Sequence, residues 1–445
     1  MFTITTMGSA ISSADNISDI SDFSNIWELY GFKTNPFSTS PLLVKGGLIP
    51  LESFSGRKDE LSRLLKIFSS EGGSRTLVCG DVGVGKTTLV NVARAHINKK
   101  SFFTPFKEIG VKQNWEADEF IVNTLYAIYA TLKLLEDKPV STTTFDKLKN
   151  LLEMNNVSVT SGGLSIAGFG ANVSKETVKP HVVSNLALSD LFQEVIVEIK
   201  NNTKKDVIIH YNNLENLPEK SIRRIFEDLR DFFQIENIHF VFVGNLSVHS
   251  IFQSMPRFSS IISDTPIIID ELSLEEIKKV LEIRFEKLRI SPDLGFIVPF
   301  REDALSVIYE LYTGNIRHIL NSLQTAIIEV TKEKAIVLDK NSISSILKQI
   351  AEKRYLARLQ QRPRDVLLAA IKHNEVTNKQ LAADTKIARS NMSTYIKQLE
   401  VTGCVYLRRK DGKDKYWSVE PKLKWILLKT PEPTDLKQRS IYEYP

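Results

Sequence analysis

Over the first 270 or so residues, short apolar runs alternate with stretches in which apolar residues recur at helical spacing. The runs at 76–80, 207–210 and 239–243 predict buried strands, and the spacing at 60–70 and 87–97 predicts helices. Strands and helices that alternate in this way form α/β domains around a mostly parallel sheet. The first part of the chain is therefore predicted to be an α/β domain.

Two segments within this part have patterns of their own. Several aromatic residues and two prolines occur at 27–41, which predicts an ordered strap and not a linker. Alternating apolar residues around Gly162 and Gly163 predict a β-hairpin insertion at 157–174, to which no chemistry can be assigned. Helical spacing then continues through 272–350, which predicts a separate helical lid.

The C-terminal part has the pattern of three helices followed by a hairpin. The predicted elements are a helix at 363–373, a short helix after the N-cap residue Thr377, a helix at 389–402, and strands at 404–409 and 416–419. Asp411 and Gly412 between the two strands are a hairpin turn signal. This order of elements predicts a winged helix-turn-helix domain.

Composition narrows the class of protein. The chain has 445 residues, of which 42% are hydrophobic and 25% charged, as in globular proteins. It has no apolar run of transmembrane length and no secretory signal, so no membrane association is expected. Its two cysteines, Cys79 and Cys404, are far apart, and its seven histidines show no metal-ligand spacing. We therefore expect a cytoplasmic protein without disulfides or a structural metal.

The net charge of +5 is unevenly distributed along the chain. Residues 351–430 contain 18 Lys and Arg against 8 Asp and Glu, a net charge of +10, whereas residues 1–350 carry −4. A basic module after a slightly acidic body is typical of a domain that meets a polyanion, although a solvated surface has the same composition.

The strongest chemical signal is GDVGVGKT at 80–87, a complete GxxxxGK[ST] motif between a predicted strand and a predicted helix. Glycines at these positions let backbone N–H groups surround phosphate oxygens at the start of the helix. The lysine reaches the β- and γ-phosphates, and the hydroxyl after it can bind Mg²⁺. The predicted phosphate-binding residues are Gly80, Gly83, Gly85, Lys86, Thr87 and Thr88.

Flanking motifs resemble those of origin-recognition-type AAA+ ATPases and their STAND relatives. Phe54 to Leu61 match the F-x-GR-x-x-EL box of these proteins, which implies that Gly56 and Arg57 contribute to the nucleotide site. The resemblance also implies a sensor 1 role for Asn245, an arginine finger at Arg257 and a sensor 2 role for Arg317. It implies ATP or ADP with Mg²⁺ as ligands, and self-association. It covers about residues 27–330, and a winged helix follows, as in initiators.

The expected Walker B acids are missing. The predicted strand at 207–210 leads into Asn212 and Asn213 where an acidic pair would stand. An asparagine at 212 offers Mg²⁺ a neutral carbonyl, and an asparagine at 213 can orient a water molecule but cannot accept its proton. Glu215, two residues farther on, is a candidate to compensate. Nucleotide binding is therefore predicted more firmly than hydrolysis.

The predicted C-terminal domain also resembles winged helices of bacterial transcription regulators, over about 65 residues. Its helix from residue 389 would be the recognition helix, and its hairpin the wing. The predicted contacts with double-stranded DNA are Arg389, Ser390, Asn391, Thr394, Tyr395 and Lys397 on the helix, and Arg408, Arg409, Lys410, Lys413 and Lys415 on the wing. Winged helices also dock proteins, so a protein partner remains an alternative.

These patterns and resemblances divide the chain into consecutive segments. They are a flexible N-terminus at 1–24, an AAA+ nucleotide-binding α/β domain at 25–270, a helical lid at 271–355, a winged helix-turn-helix at 362–430 and a tail at 431–445. The predicted fold class is a P-loop AAA+ parallel-sheet domain with a helical lid, followed by an α+β winged-helix domain.

Two functions fit this organisation. The first is an ATP-binding AAA+ factor or regulator that assembles on DNA under nucleotide control, with weak or absent hydrolysis. The second is a STAND-like signalling switch, for example in stress or phage defence, whose winged helix docks a protein partner. No nuclease, protease or other effector motif is recognisable, which favours the first function.

Overall fold

The computed structural model describes residues 25–43, 47–70, 72–98, 102–154, 157–160, 163–166, 184–262, 265–411 and 414–429. The predicted flexible terminus at 1–24, the tail at 431–445 and the hairpin positions 167–174 lie outside the described residues. Among the described residues, none of the helices has the combination of length and hydrophobicity that a membrane span requires.

A parallel sheet forms the centre of the N-terminal domain. Its strands are β1 (Gly73–Gly80), β2 (Phe102–Phe103), β3 (Ile109–Gly110), β6 (Asp206–Asn212), β7 (Ile238–Gly244) and β8 (Ile267–Ile269). Their order is β2-β6-β7-β1-β8, with β3 also paired to β6. Every residue of β7 is buried, and β1 pairs with β7 on one side and β8 on the other. Near-continuous burial of this kind explains why the strands appear in the sequence as apolar runs and not as alternating patterns.

Helices connect these strands, and the carboxyl ends of β1 and β6 lead into the P-loop and into Asn213. A separate antiparallel pair, β4 (Val157–Thr160) and β5 (Gly163–Ile166), occupies the position of the predicted hairpin insertion. The helices are α1 (Lys58–Phe68), α2 (Lys86–Asn98), α3 (Ala117–Leu132), α4 (Thr142–Met154), α5 (Asn185–Thr203), α6 (Glu219–Asp228), α7 (Leu246–Gln253) and α8 (Pro256–Ser259).

The helical lid follows β8. Its first helix begins with a capping box between Ser273 and Glu276, and its third helix begins at the N-cap residue Asn315. The strap at 27–41 belongs to this lid, because its aromatic residues Trp27 and Phe37 lie in the lid's apolar core. The lid helices are α9 (Leu274–Leu288), α10 (Glu302–Tyr312), α11 (Ile316–Val330) and α12 (Lys340–Arg354).

The C-terminal domain combines helices with an antiparallel sheet. Its elements are α13 (Gln361–Ala370), β9 (Val376–Thr377), α14 (Asn378–Thr385), α15 (Arg389–Val401), β10 (Val405–Asp411) and β11 (Asp414–Val419), and the sheet order is β10-β11-β9. Thr377 caps α14 through a capping box with Gln380, as its position in the sequence predicts. Met392, Ile396 and Leu399 of α15 are buried in this domain's core.

A 3₁₀ helix after β11, Pro421–Leu427, joins this domain to the lid. Trp425 lies fully buried in the lid core, and its indole Nε1 donates a hydrogen bond to Ser322 Oγ at 2.8 Å. The Tyr312 hydroxyl of α10 donates to the backbone carbonyl of Pro421 at 3.0 Å. The C-terminal domain is therefore held against the lid by buried side chains.

The predicted fold class is confirmed. The chain forms a P-loop α/β domain with a parallel sheet and a helical lid, followed by an α+β domain whose antiparallel sheet is consistent with a winged helix.

Candidate functional site

The P-loop connects β1 to α2 and has the backbone geometry of a phosphate cradle. Gly83 and Gly85 have φ angles of +91° and +102°, a region that residues with a side chain rarely adopt. Lys86 Nζ donates hydrogen bonds to the carbonyls of Gly80 at 2.9 Å and Asp81 at 2.8 Å. Phosphate oxygens are alternative acceptors for these protons, so the loop can exchange internal hydrogen bonds for contacts with an anion.

Burial lowers the pKa of Lys86, and Arg317 lowers it further, whereas Glu215 and Asp81 raise it. Only 8% of Lys86 is exposed. A phosphate would place additional negative charge beside this buried ammonium group and would stabilise its charged form.

A cleft between the α/β domain and the lid contains most of the predicted nucleotide site. Its predicted residues are Arg57, Gly83, Gly85, Lys86, Thr87, Thr88, Asn212, Asn213 and Arg317. Gly80 and Gly56 do not line the cleft, although both have positive φ angles beside it. The remaining walls come from the strap, from residues 53–55, from lid helices α9 and α11, and from Val82, Val84, Glu215 and Leu272.

Thr87 and Asn212 are adjacent at the floor of this cleft. Thr87 Oγ1 donates a hydrogen bond to Asn212 Oδ1 at 2.9 Å. The two oxygens predicted to hold Mg²⁺ thus meet at one point, but neither is charged. Within the described residues, no group of three or more His, Cys, Asp or Glu side chains could hold a metal ion.

Arg57 forms hydrogen bonds with backbone carbonyls beside the cleft. Its Nη2 donates to the carbonyls of Val84 at 2.9 Å and Asp270 at 2.5 Å, and burial lowers its pKa. It therefore ties the P-loop to the segment that leads from β8 into the lid. This is a positioning role, which the resemblance alone does not reveal.

The lid contacts the P-loop directly through Asn315. Its Nδ2 donates to the Val82 carbonyl at 2.8 Å, while its Oδ1 faces Gly83 so closely that a Cβ there would lie 2.7 Å away. The same Cβ would lie 2.8 Å from Cβ of Arg317. Sequence reasoning selects Arg317 and misses Asn315, although the asparagine stands at an N-cap position two residues earlier.

Arg284 is a second residue that sequence reasoning misses. It lines the cleft and is 7% exposed, and burial lowers the pKa of its guanidinium group to about 10. Its Nη1 donates to the carbonyls of Pro36 and Ser38 at 3.0 and 2.9 Å, which fixes the strap over the cleft. In the sequence it stands as an ordinary arginine of an amphipathic helix.

Two predicted catalytic residues lie away from the cleft lining. Asn245 caps α7, and its Oδ1 accepts a hydrogen bond from the Val248 backbone N–H at 3.2 Å. Arg257 is exposed on α8. Besides Gly56 and Gly80, these are the predicted nucleotide-site residues that do not line the cleft.

The predicted DNA-contacting residues of α15 are mostly exposed. Arg389, Ser390, Asn391, Thr394 and Lys397 face solvent, whereas Tyr395 is half-buried against the core of the C-terminal domain. A groove lies between α14, α15 and β11. Its charged lining residues are Lys379, Arg389, Lys397, Glu400, Asp414 and Lys415.

On the wing, both arginines are paired with acids. Arg408 Nη2 donates to Asp81 Oδ1 of the P-loop at 2.9 Å. Arg409 pairs with Glu375 at 2.6 Å, and its guanidinium lies 3.5 Å from the centre of the Tyr416 ring. Lys413 and the side chain of Lys410 lie outside the described residues.

A register shift between β10 and β11 places Arg408 at the P-loop. Leu407 pairs with Trp417 and Arg409 pairs with Tyr416, so Arg408 is the extra residue of a bulge. A bulge bends a strand and redirects a side chain. The bulge separates the directions of the two arginines, and it brings together residues 327 positions apart in the sequence.

A comparison with family models matches residues 60–254 to the KAP family P-loop domain. This region contains the P-loop and β6, and the chain is similar to that family over this region. Among proteins of curated function, none matches the chain significantly.

Solved structures match over most of the chain at low identity. The ORC1 protein of Aeropyrum pernix in complex with DNA is 16% identical, with a TM-score of 0.41, and the match covers 86% of this chain and 94% of that chain. The ORC2 protein of the same organism, with ADPNP and ADP, is 14% identical, with a TM-score of 0.46 and coverages of 89% and 97%. Drosophila ORC bound to DNA is 11% identical, with a TM-score of 0.39 and 96% of each chain covered.

Proposed function

We propose that this protein is an ATP-binding AAA+ factor whose contact with double-stranded DNA is controlled by its nucleotide. The two contacts of Asp81 are the observation that supports this proposal most directly. Asp81 accepts a hydrogen bond from Lys86 through its backbone carbonyl and from Arg408 through its carboxylate. One residue thus touches both the phosphate-binding lysine and the wing.

The cleft fits a nucleotide with Mg²⁺. Positive-φ glycines and Lys86 supply donors for phosphates, and Thr87 and Asn212 offer neutral oxygens to the metal. Bound Mg²⁺ would neutralise phosphate charge, with the phosphates and water completing its ligands. Because neither oxygen carries charge, we expect the ion to be held mainly by the nucleotide and turnover to be slow.

The proposed coupling runs through Asp81, which accepts from Lys86 with its backbone carbonyl and from Arg408 with its carboxylate. Phosphates attract Lys86 Nζ, which weakens its hydrogen bond to the Asp81 carbonyl, while DNA phosphates attract Arg408 away from the Asp81 carboxylate. If each event favours the other, nucleotide and DNA increase each other's affinity by the same factor. The Arg408 and Asp81 side chains are 39% and 46% exposed, so solvent screens the pair and its contribution is about 1 kcal/mol or less. A coupling of about fivefold is the corresponding magnitude.

Arg257 supports the self-association part of the proposal. Because it is exposed on α8 and outside its own cleft, an arginine finger at this position would have to enter the cleft of a neighbouring copy. Sedimentation of the native chain and of Arg257→Ala, with and without ATP, tests whether nucleotide promotes assembly through this residue.

The test of the main proposal is duplex binding by the full chain, measured by fluorescence anisotropy with no nucleotide, ADP and a non-hydrolysable ATP analogue. We expect nucleotide to change the affinity of the native protein severalfold. Asp81→Asn frees Arg408, so it should raise DNA affinity without nucleotide and abolish most of the nucleotide effect.

Glu375→Gln is the matched control, because it frees Arg409 without touching the P-loop. It should alter DNA affinity equally in all nucleotide states. Equal nucleotide effects in Asp81→Asn and the native protein would contradict the coupling.

The pairing of both wing arginines with acids favours one other function, a winged helix that docks a protein. That function predicts no duplex binding at moderate salt by folded protein in any nucleotide state.

A further inference from the structure

We propose that Glu215 is the carboxylate that orients and deprotonates the attacking water in this nucleotide site, in place of the absent Walker B glutamate. The inference rests on the proposed binding of ATP in the cleft and concerns how that nucleotide is hydrolysed.

Glu215 is the one carboxylate among the described residues that line the cleft. The neighbouring positions at the end of β6 carry amides, Asn212 and Asn213, which cannot accept a proton at neutral pH. Among the described residues that line the cleft, Glu215 is therefore the side chain that can take a proton from water as a carboxylate.

Its Oε2 is buried and has no hydrogen-bond partner within the described part of the chain. A buried polar atom without a partner destabilises the folded state, and such atoms in native proteins require an explanation. A water molecule bound between this oxygen and a nucleotide phosphate would supply the missing partner.

The negative charge of Glu215 also acts on Lys86. Among the acidic neighbours of Lys86, Glu215 raises the pKa of the ammonium group most, ahead of Asp81. The carboxylate and the lysine also line the same cleft.

The local backbone explains why the acid stands at 215. Asn213 has a φ of +62° and begins the 3₁₀ turn Leu214–Asn216 that carries Glu215. Asparagine adopts this left-handed conformation more readily than glutamate. A glutamate at 213 would be strained there, whereas the next turn presents one to the cleft without strain.

The step is a transfer of the γ-phosphoryl group to water. The water oxygen forms a bond to the γ-phosphorus while the bond from that phosphorus to the β–γ bridging oxygen breaks. The water proton passes to the Glu215 carboxylate, ADP leaves with the bridging oxygen, and the proton is later released to solvent. Lys86 and Arg317 face the same cleft and balance the charge of the departing phosphates.

The experiment compares Glu215→Gln with Glu219→Gln in the full chain. Glu219 is an exposed acid four residues farther on, paired with Arg223 and outside the cleft, so it is a matched control. Calorimetry measures ATP affinity, and single-turnover assays with excess protein measure hydrolysis.

We expect slow but measurable hydrolysis by the native chain and a decrease of about 10²- to 10⁴-fold in Glu215→Gln. ATP should bind to Glu215→Gln at least as tightly as to the native chain, since a negative charge near the phosphates is removed. Glu219→Gln should stay within twofold in both assays. Glu215→Asp retains the carboxylate and should recover part of the rate, which a purely structural role would not produce.

Native hydrolysis retained in Glu215→Gln would overturn the inference. So would a native chain that binds ATP with Mg²⁺ but forms no ADP over many hours. Failure of the native chain to bind ATP is a separate result, because it would overturn the nucleotide site itself.

Discussion

At the scale of single residues, the proposed nucleotide site depends most on Lys86. Its ammonium group is buried and bonded to two P-loop carbonyls, so its charge is already directed at the phosphate position. We expect Lys86→Ala to weaken ATP binding at least 100-fold in calorimetry, because this variant cannot form charge-assisted hydrogen bonds to phosphate in a partly desolvated site.

Lys220→Ala is the control for this prediction, because Lys220 is exposed on α6 and has no part in the cleft. It should bind ATP like the native protein. An unchanged affinity in Lys86→Ala, with the fold intact by circular dichroism, would contradict the assignment of the P-loop.

Residues of the site differ in how well the sequence can predict them. Lys86 and Thr87 belong to a motif whose spacing is set by the geometry of one loop, so a linear pattern identifies them. Arg408 is predicted on charge alone, and its partner Asp81 cannot be foreseen because the contact joins two domains. Arg284 has no local signal, since its role depends on the strap that folds over it.

At the scale of elements, the contact between the lid and the P-loop depends on a glycine. Gly83 has a positive φ, and a Cβ on it would lie 2.7 Å from Asn315 Oδ1 and 2.8 Å from Cβ of Arg317. We expect Gly83→Ala to lower the thermal unfolding midpoint and to weaken ATP binding, because the start of α11 would have to move away from the loop.

Comparison of Gly83→Ala with Gly72→Ala distinguishes the effect of steric overlap on stability from the effect of backbone strain. Gly72 has a φ of +84°, but nothing lies within 4 Å of the Cβ position. Both variants incur strain of about 1 kcal/mol, and only Gly83→Ala adds the clash with the lid. Equal decreases of stability in the two variants would show that the lid does not press on the loop.

Elements with strong periodicity can be predicted from the sequence, whereas their irregularities cannot. The strand that ends at Asn212 and the helix that begins at Arg389 agree with the predicted runs. The bulge at Arg408 leaves no signal in an alternating pattern, because it depends on pairing with β11. The sequence predicts an ordered strap, but only the structure shows that its aromatic residues join the lid core.

At the scale of the whole molecule, the C-terminal domain is fastened at two places. Buried Trp425 holds it to the lid, and the exposed pair of Arg408 with Asp81 joins it to the P-loop. The first contact buries a large apolar surface, whereas the second is weak and screened by salt. Because the contact with the lid is strong and the contact with the P-loop is weak, the wing can separate from the P-loop while the domain stays attached to the lid.

Because the wing arginines are paired with acids, we expect the proposed contact with DNA to begin at the cations of the groove. Lys397 and Lys415 are exposed, and neither forms an ion pair within the described residues. If they meet phosphates, replacing both with alanine should weaken binding to every duplex alike. It should also flatten the dependence of log affinity on log salt by about 0.9 for each phosphate that the variant no longer neutralises.

Lys340→Ala with Lys353→Ala, two exposed lysines of α12, removes the same charge from the lid and is the control. Its salt dependence should match that of the native chain. An equal change of salt dependence in both double variants would show that DNA affinity depends on the net charge of the protein and not on this groove. Lysines that contact phosphates in the groove would change the salt dependence only when they themselves are replaced. A change confined to the groove variant would locate the DNA on the surface formed by α14, α15 and β11. Release of Arg408 from Asp81 would then increase DNA affinity by adding one contact to those of the groove.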